Sequence, residues 1–256
     1  MHISILGCGW LGLPLAKQLI KIGHNVKGST RTNSKVEKLK VEGILPYVID
    51  LKQLNDRLEA FLCSEILIIA ITNKNIKQYI PLIQSIEKSS IQKVLFISST
   101  SVYNNNNKVV TEKSILNESP LVQIEDLFLT NKHFKTTILR FAGLIGYDRK
   151  PGNFFLNNTI IENPEGYVNM IHQDDCIAII EKIIELNAWG HSFNAACDSH
   201  PTRRDFYSTE IFKTRNKIPE FNKNSMNEFK IIDSSLLKKK LAYEFKHNDL
   251  LKLSIG

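Results

Sequence analysis

The chain opens with a short apolar run, His2-Ile3-Ser4-Ile5-Leu6, that passes directly into Gly7-Cys8-Gly9-Trp10-Leu11-Gly12. Apolar residues then recur at Leu11, Leu15, Ala16, Leu19 and Ile20, the spacing of one helix face. A Gly-x-Gly-x-x-Gly turn between a strand and a helix meets narrow demands. Gly7 permits the tight turn, Gly9 lets the backbone approach a pyrophosphate with no Cβ in the way, and Gly12 lets the helix lie close on its strand. The bare amides at the helix start, around Trp10 and Leu11, then face the phosphates. Gly7, Gly9, Trp10, Leu11 and Gly12 are therefore expected to hold a dinucleotide, and a tight structural turn is the alternative. Pro14 falls near the first turn of the helix, where a missing N–H costs little, and Gly23 ends it.

The next segment bears on which cofactor fits. His24 to Ser29 reads as a second strand, and a site for NAD usually places an acidic residue about 20 residues past the glycines to bind the ribose hydroxyls. Here that place is held by Ser29-Thr30-Arg31-Thr32. Arg31 offers a guanidinium fork to a 2′-phosphate and the neighbouring hydroxyls, Thr30 among them, extra donors, so NADP is expected in preference to NAD. A solvent-facing loop arginine is the alternative.

Strands and helices keep alternating. Ser34 is expected to cap a short helix carrying Val36 and Leu39, ended by Gly43. Leu45 to Ile49 is a third strand, with Asp50-Leu51 at its end. Asp50 either meets the adenine amino group or caps a helix carrying Leu54, Leu58 and Phe61. Ile66 to Ile71 is a continuous apolar run of the kind buried in parallel sheets, and its end, Ala70-Ile71, should pass beside the cofactor. A helix over about 75–88 leads to a fifth strand, Lys93 to Ile97, which runs into Ser98-Ser99-Thr100-Ser101-Val102-Tyr103. This order predicts an α/β fold with a doubly wound parallel sheet, a Rossmann fold, whose ligands bind at the carboxyl ends of the strands. The hydroxyl cluster is thereby placed at the active cleft. Further on, Thr136 to Leu139 is a sixth strand with Arg140 after it, and His191 to Ala195 is a last one. The tail offers helices near 205–212 and 234–241, the second capped by Asp233 or Ser234.

Composition narrows the class. With 256 residues, 43% of them hydrophobic, the chain can bury a full core. The apolar start lacks a basic leader and is broken by glycines, and Glu65 to Ile71 is far too short to span a bilayer, so a cytoplasmic protein without membrane contact is expected. The four cysteines are scattered with no Cys-x-x-Cys pair, and Cys197-Asp198-Ser199-His200 lacks metal-ligand spacing, so no metal is expected. The net charge of +7 is spread along helix faces, which argues against a nucleic-acid partner.

The motifs together resemble the extended short-chain dehydrogenase/reductase superfamily, the NAD-dependent epimerase/dehydratase group, in an atypical branch. The matching stretches are Gly7 to Gly12, Arg31, Asp50-Leu51, Ser98 to Tyr103, Ile138 to Gly146, Arg149 to Gly152 and Val168 to Asp175. The resemblance implies that Ser99 occupies the place of the family's catalytic Ser/Thr, with Thr100 beside it, and that the stretch after Gly146 helps build a substrate lobe. It implies a division into a dinucleotide-binding domain, 1–145, and a C-terminal region, 146–256. That region partly completes the sheet, around 168–197, and partly forms the substrate lobe. His172 and Asp174 read as structural.

One departure bears on activity. The family's proton relay is a Tyr-x-x-x-Lys on the helix after the fifth strand. With Glu125 matched to the acidic residue later in that helix, the two positions fall on Asn117 and Leu121. The ammonium is needed because a phenol near pKa 10 must be made acidic enough to trade protons near neutrality. A proton would have to come from elsewhere: Tyr103, Tyr147, Asp148 or water, with Tyr147 preferred because its loop opens the substrate region. The expected function is an NADP-dependent oxidoreductase or epimerase-like enzyme on a small polar carbonyl or alcohol, in a chain that can also form a homodimer. A non-catalytic NADP-binding sensor or scaffold is the alternative.

Overall fold

The computed structural model describes residues 1–155 and 159–253. In chain order the elements are β1 (His2–Leu6), α1 (Gly12–Lys21), β2 (Asn25–Thr30), α2 (Val36–Val41), β3 (Leu45–Val48), α3 (Arg57–Leu62), β4 (Ile66–Ile69), α4 (Ile76–Glu87) and β5 (Lys93–Ser99). There follow β6 (Lys108–Val110), α5 (Pro120–Leu129), β7 (Lys135–Phe141), β8 (Gly143–Ile145), β9 (Met170–His172), α6 (Gln173–Glu185), β10 (Ser192–Ala195), α7 (Arg203–Arg215), β11 (Lys230–Ile232) and α8 (Ser235–Leu241). Seven strands make the central sheet in the order β10-β7-β5-β4-β1-β2-β3, which is the doubly wound Rossmann arrangement read from the strand and helix alternation.

The chain divides into two compact units. The first consists of Met1–Ser98, Glu118–Leu139 and Ile180–Ser192; the second of Ser99–Asn117, Arg140–Ile179 and Phe193–Gly256.

In the first unit β1 lies between β2 and β4, parallel to both, and β5 extends the sheet beyond β4. All four residues of β4 are buried, as a strand covered on both faces requires. Leu15, Ala16 and Leu19 of α1 are fully buried, which is the outcome of their helical spacing. Tyr79 of α4, Phe96 of β5 and Phe128 of α5 form an aromatic core, with Phe96 and Phe128 stacked at 5.2 Å and Tyr79 edge-on to both at 6.0 Å. Such pairs contribute about 0.5–1.5 kcal/mol each beyond their area.

Three boundaries differ from those expected. Ser34 does not cap α2: it sits inside a 3₁₀ turn, Asn33–Lys35, and its hydroxyl pairs with that of Thr32 at 3.0 Å. Asp50 caps no helix either, because α3 begins only at Arg57, whose amide is taken by Asn55 at 3.1 Å. The Asp50 carboxylate closes a local turn by accepting from the Lys52 amide at 3.0 Å. β4 stops at Ile69, two residues early, so that Ala70 and Ile71 can bend toward the glycine turn.

In the second unit β6 pairs with β11 and β8 with β9, each in parallel. Helix α7 is longer than its apolar pattern suggests because Thr202 caps it, accepting from the Asp205 amide at 3.1 Å. At α8 it is Asp233 that accepts from the first-turn amide, of Ser235, at 2.8 Å, while the Ser234 hydroxyl is drawn inward to both backbone groups of Ala196. Arg140 lies within β7 rather than after it and is buried. Gly152 is required by packing: a Cβ there would fall on the Glu210 carbonyl and the Thr214 side chain of α7.

Candidate functional site

The glycine turn is shaped by three close approaches. Gly7 has φ +103°, and a Cβ on it would meet Ile71 Cγ2 at 2.5 Å and the Ala70 carbonyl oxygen at 2.7 Å. A Cβ on Gly12 would fall on the Gly7 carbonyl oxygen, so only glycine lets the helix start beneath its own turn. Gly9 is different, since a Cβ there meets nothing within 4 Å. Its surface is clear for a ligand, which is the shape a pyrophosphate needs.

Ser29 and Gly28, neither of which the sequence marked as supporting the glycine turn, hold it. The Ser29 hydroxyl accepts from the Gly7 amide at 2.9 Å, and the Ser29 carbonyl accepts from the Cys8 amide at 2.9 Å. Gly28 makes room for it, because a Cβ there would lie 2.6 Å from both Cys8 Sγ and Ile44 Cγ2. The Cys8 thiol is buried against β2, and that burial pushes its pKa up to about 12, so it is inert packing. A glycine inside an apolar strand was the signal available for Gly28.

Helix α1 begins at Gly12 with no acidic residue in its first turn, and Leu11 precedes it, buried, beside half-buried Trp10. Ala70 and Ile71 stand against Gly7. Thr30 ends β2, buried, and Arg31 follows it, exposed. Among the described residues the Arg31 guanidinium has no hydrogen-bond or ion-pair partner, so its donors are open to an anion. Asp50 is half-buried with its carboxylate partly engaged in the turn, and Leu51 beside it is buried.

The hydroxyl cluster separates into different roles. Ser98 is buried and donates to the buried Glu125 carboxylate of α5. Thr100 is buried, whereas Ser99 is half-exposed, its oxygen accepting from the Ser101 amide at 3.1 Å at the head of a 3₁₀ turn. Its O–H remains able to donate. Tyr103 is removed from the list of proton sources: it is 2% exposed, donates to Asn194 Oδ1 at 2.8 Å and accepts from Arg140 Nη1 at 2.7 Å. Burial raises its pKa despite the guanidinium beside it, so it stays a neutral phenol. Asn117 precedes α5 and ties down the same turn, its Nδ2 donating to the Ser101 carbonyl at 2.8 Å. Leu121 is an ordinary buried residue of α5.

Tyr147 lies on an exposed loop after β8. Its hydroxyl donates to both oxygens of Asp174, at 2.9 and 3.0 Å. That bond raises the phenol pKa, the opposite of what an ammonium would do. His172 and His247 complete the group: His247 Nε2 is 3.0 Å from Asp174 Oδ2, and the two imidazoles overlap with centroids 3.8 Å apart. Burial works to raise the Asp174 carboxyl, but the His247 and Tyr147 bonds and the two imidazoles outweigh it and hold it below its ordinary value. His247 had no detectable signal in the sequence, lying in a tail without periodicity.

Residues 2–118 match the NAD binding domain of 6-phosphogluconate dehydrogenase. Protein YeeZ of Escherichia coli K12 is 30% identical over 272 aligned residues, covering 99% of this chain and 98% of that protein. The chain belongs to the YeeZ family. Its fold is shared by a functionally unknown conserved protein from Silicibacter pomeroyi, with a TM-score of 0.81 at 17% identity, covering 98% of this chain and 95% of that one. It is shared also by UDP-glucuronic acid 4-epimerase from Bacillus cereus in complex with NAD, with a TM-score of 0.79 at 18% identity and coverage of 98% and 95%. This YeeZ-family chain thus has the Rossmann fold that the Bacillus cereus epimerase also has, its residues 2–118 match an NAD binding domain, and no tyrosine in it is followed four residues later by lysine. Among the described residues no helix is long and apolar enough to cross a membrane.

Proposed function

We propose that the chain binds NADP in preference to NAD and acts as an oxidoreductase or epimerase-like enzyme on a small polar, nucleotide-linked carbonyl or alcohol. The cofactor reading is carried by the open face of Gly9, together with an Arg31 guanidinium that has no partner among the described residues. Gly7 to Gly12 and the walls Ala70 and Ile71 would hold the pyrophosphate, Thr30 and Arg31 a 2′-phosphate, and Asp50-Leu51 the adenine. When bound, a nicotinamide supplies hydride transfer. Ser99 is the better placed of the two hydroxyls to polarise a substrate oxygen, because it is half-exposed while Thr100 is buried. The substrate class is motivated by a protein of the same fold, the UDP-glucuronic acid 4-epimerase from Bacillus cereus.

The second reading, a non-catalytic NADP-binding sensor, draws support from Asn117 and Leu121 at the relay positions and from the full engagement of the Tyr103 hydroxyl. The two readings separate when NADPH oxidation is followed by absorbance with a panel of keto-sugars and aldehydes. Turnover that is lost in Ser99→Ala supports the enzyme; cofactor binding with no turnover on any member of the panel supports the sensor.

Cofactor choice has its own test. Arg31→Asp should weaken NADP by about 1.5–3 kcal/mol, the size of a lost charge-assisted bond, with added repulsion from the new carboxylate. NAD affinity should change far less. Calorimetry that finds NAD bound as tightly as NADP to the unaltered protein would reduce Arg31 to a surface residue.

A further inference from the structure

His172 ends β9, Asp174 lies in the first turn of α6, and His247 comes from the segment after α8. Asp174 Oδ2 is 3.0 Å from His247 Nε2 and 3.4 Å from His172 Nδ1, and the three residues can present one ligand atom each within 4.8 Å of one another. Among the described residues this is the one such group. We propose that His172, Asp174 and His247 form a binding site for a divalent first-row transition ion of the Zn²⁺ kind.

Spacing, donor type and support each point to this. A tetrahedral ion with bonds of 2.0–2.1 Å holds its donors about 3.3 Å apart, and the two Asp174 distances fall on either side of that. Two imidazoles and one carboxylate suit zinc, cobalt, nickel or copper, whereas magnesium and calcium take oxygen donors. A hydrogen-bonded Asp–His pair would account for one imidazole only. The second ring lies against the first, centroids 3.8 Å apart with planes tilted by 36° and no hydrogen bond between them, and a shared ion explains why both are there. Ligation at His172 Nδ1 replaces the long bond, 3.2 Å, that it accepts from the Asp174 amide.

The supporting contacts are those of a held site. Asp175 is fully buried and accepts from the Tyr243 hydroxyl at 2.6 Å, the Lys246 amide at 2.7 Å and the His247 amide at 3.1 Å. Its carboxylate fixes the backbone that aims His247 at Asp174. Tyr147 orients the Asp174 carboxylate through its hydroxyl, a role of the kind that tunes ligating carboxylates elsewhere. Three protein donors leave a fourth position for water or a ligand, as in catalytic rather than closed structural zinc sites.

The experiment uses the full chain, stripped with EDTA and titrated with Co²⁺ while visible d–d absorption is recorded, followed by displacement with Zn²⁺. Uptake saturating at one ion per chain is expected. His247→Gln and Asp174→Ala should each abolish it, with circular dichroism showing both variants folded, and Tyr147→Phe should weaken it about 10–100-fold. No saturable uptake by the unaltered chain overturns the proposal, and so does uptake that is undiminished in both folded ligand variants.

Discussion

Gly9→Val should melt at close to the temperature of the unaltered protein when free, yet gain nothing from NADP(H). For the unaltered chain, ligand at a hundred times its dissociation constant adds about 2.7 kcal/mol of stability. The variant keeps its fold because a Cβ at Gly9 touches nothing within 4 Å, and it loses the cofactor because the branched side chain projects into the space the phosphates need. Gly12→Val provides the contrast. There the Cβ collides with the Gly7 carbonyl, so the turn itself must open and stability falls at any ligand concentration. Thermal melts with and without NADP(H) separate the two effects. Equal ligand-induced shifts in Gly9→Val and the unaltered protein would remove the glycine turn from cofactor binding.

Asp175→Ala should be the most damaging single change outside the apolar core, with a loss on the order of 3–5 kcal/mol in urea or thermal unfolding. Three donors, the Tyr243 hydroxyl and the amides of Lys246 and His247, converge on this one carboxylate. Each buried donor left without an acceptor costs about 1–3 kcal/mol. Asp175→Asn keeps one acceptor oxygen and should lose less. A loss under about 1 kcal/mol for the alanine variant would mean that water reaches the donors and that the segment after α8 is held by something else.

The dinucleotide half was legible because its signals are local. The glycine turn, the continuous apolar run of β4 and the helical spacing of α1 and α4 each lie within a dozen residues, and all formed the elements they indicate. Capping was less legible, since a hydroxyl or carboxylate near a helix start has several amides within reach. Ser34 paired with Thr32 instead, and Asp50 closed its own turn. The second unit was the least legible. Tyr103 meets Asn194 and Asp174 meets His247 across 91 and 73 residues of chain, and no periodicity connects such partners. Burial also redistributed the hydroxyl cluster: Ser98 went to Glu125 and Tyr103 to Arg140, which leaves Ser99 the one of the three whose O–H has no such buried commitment.

The β6–β11 pair has a consequence for synthesis. Asn107 at the mouth of β6 bonds to Phe229, 122 residues later. At about 5–20 residues per second, a ribosome needs roughly ten seconds to deliver that partner after β6 emerges. For that interval the nascent β6 segment, Val109 included, lacks its strand partner, and for the earlier part of it Tyr103 also lacks its partner Asn194. Crowded polysomes would therefore be where this protein is most exposed to cross-pairing between growing copies, and the four consecutive asparagines just before β6 put a polar, poorly sticking tract at the vulnerable edge.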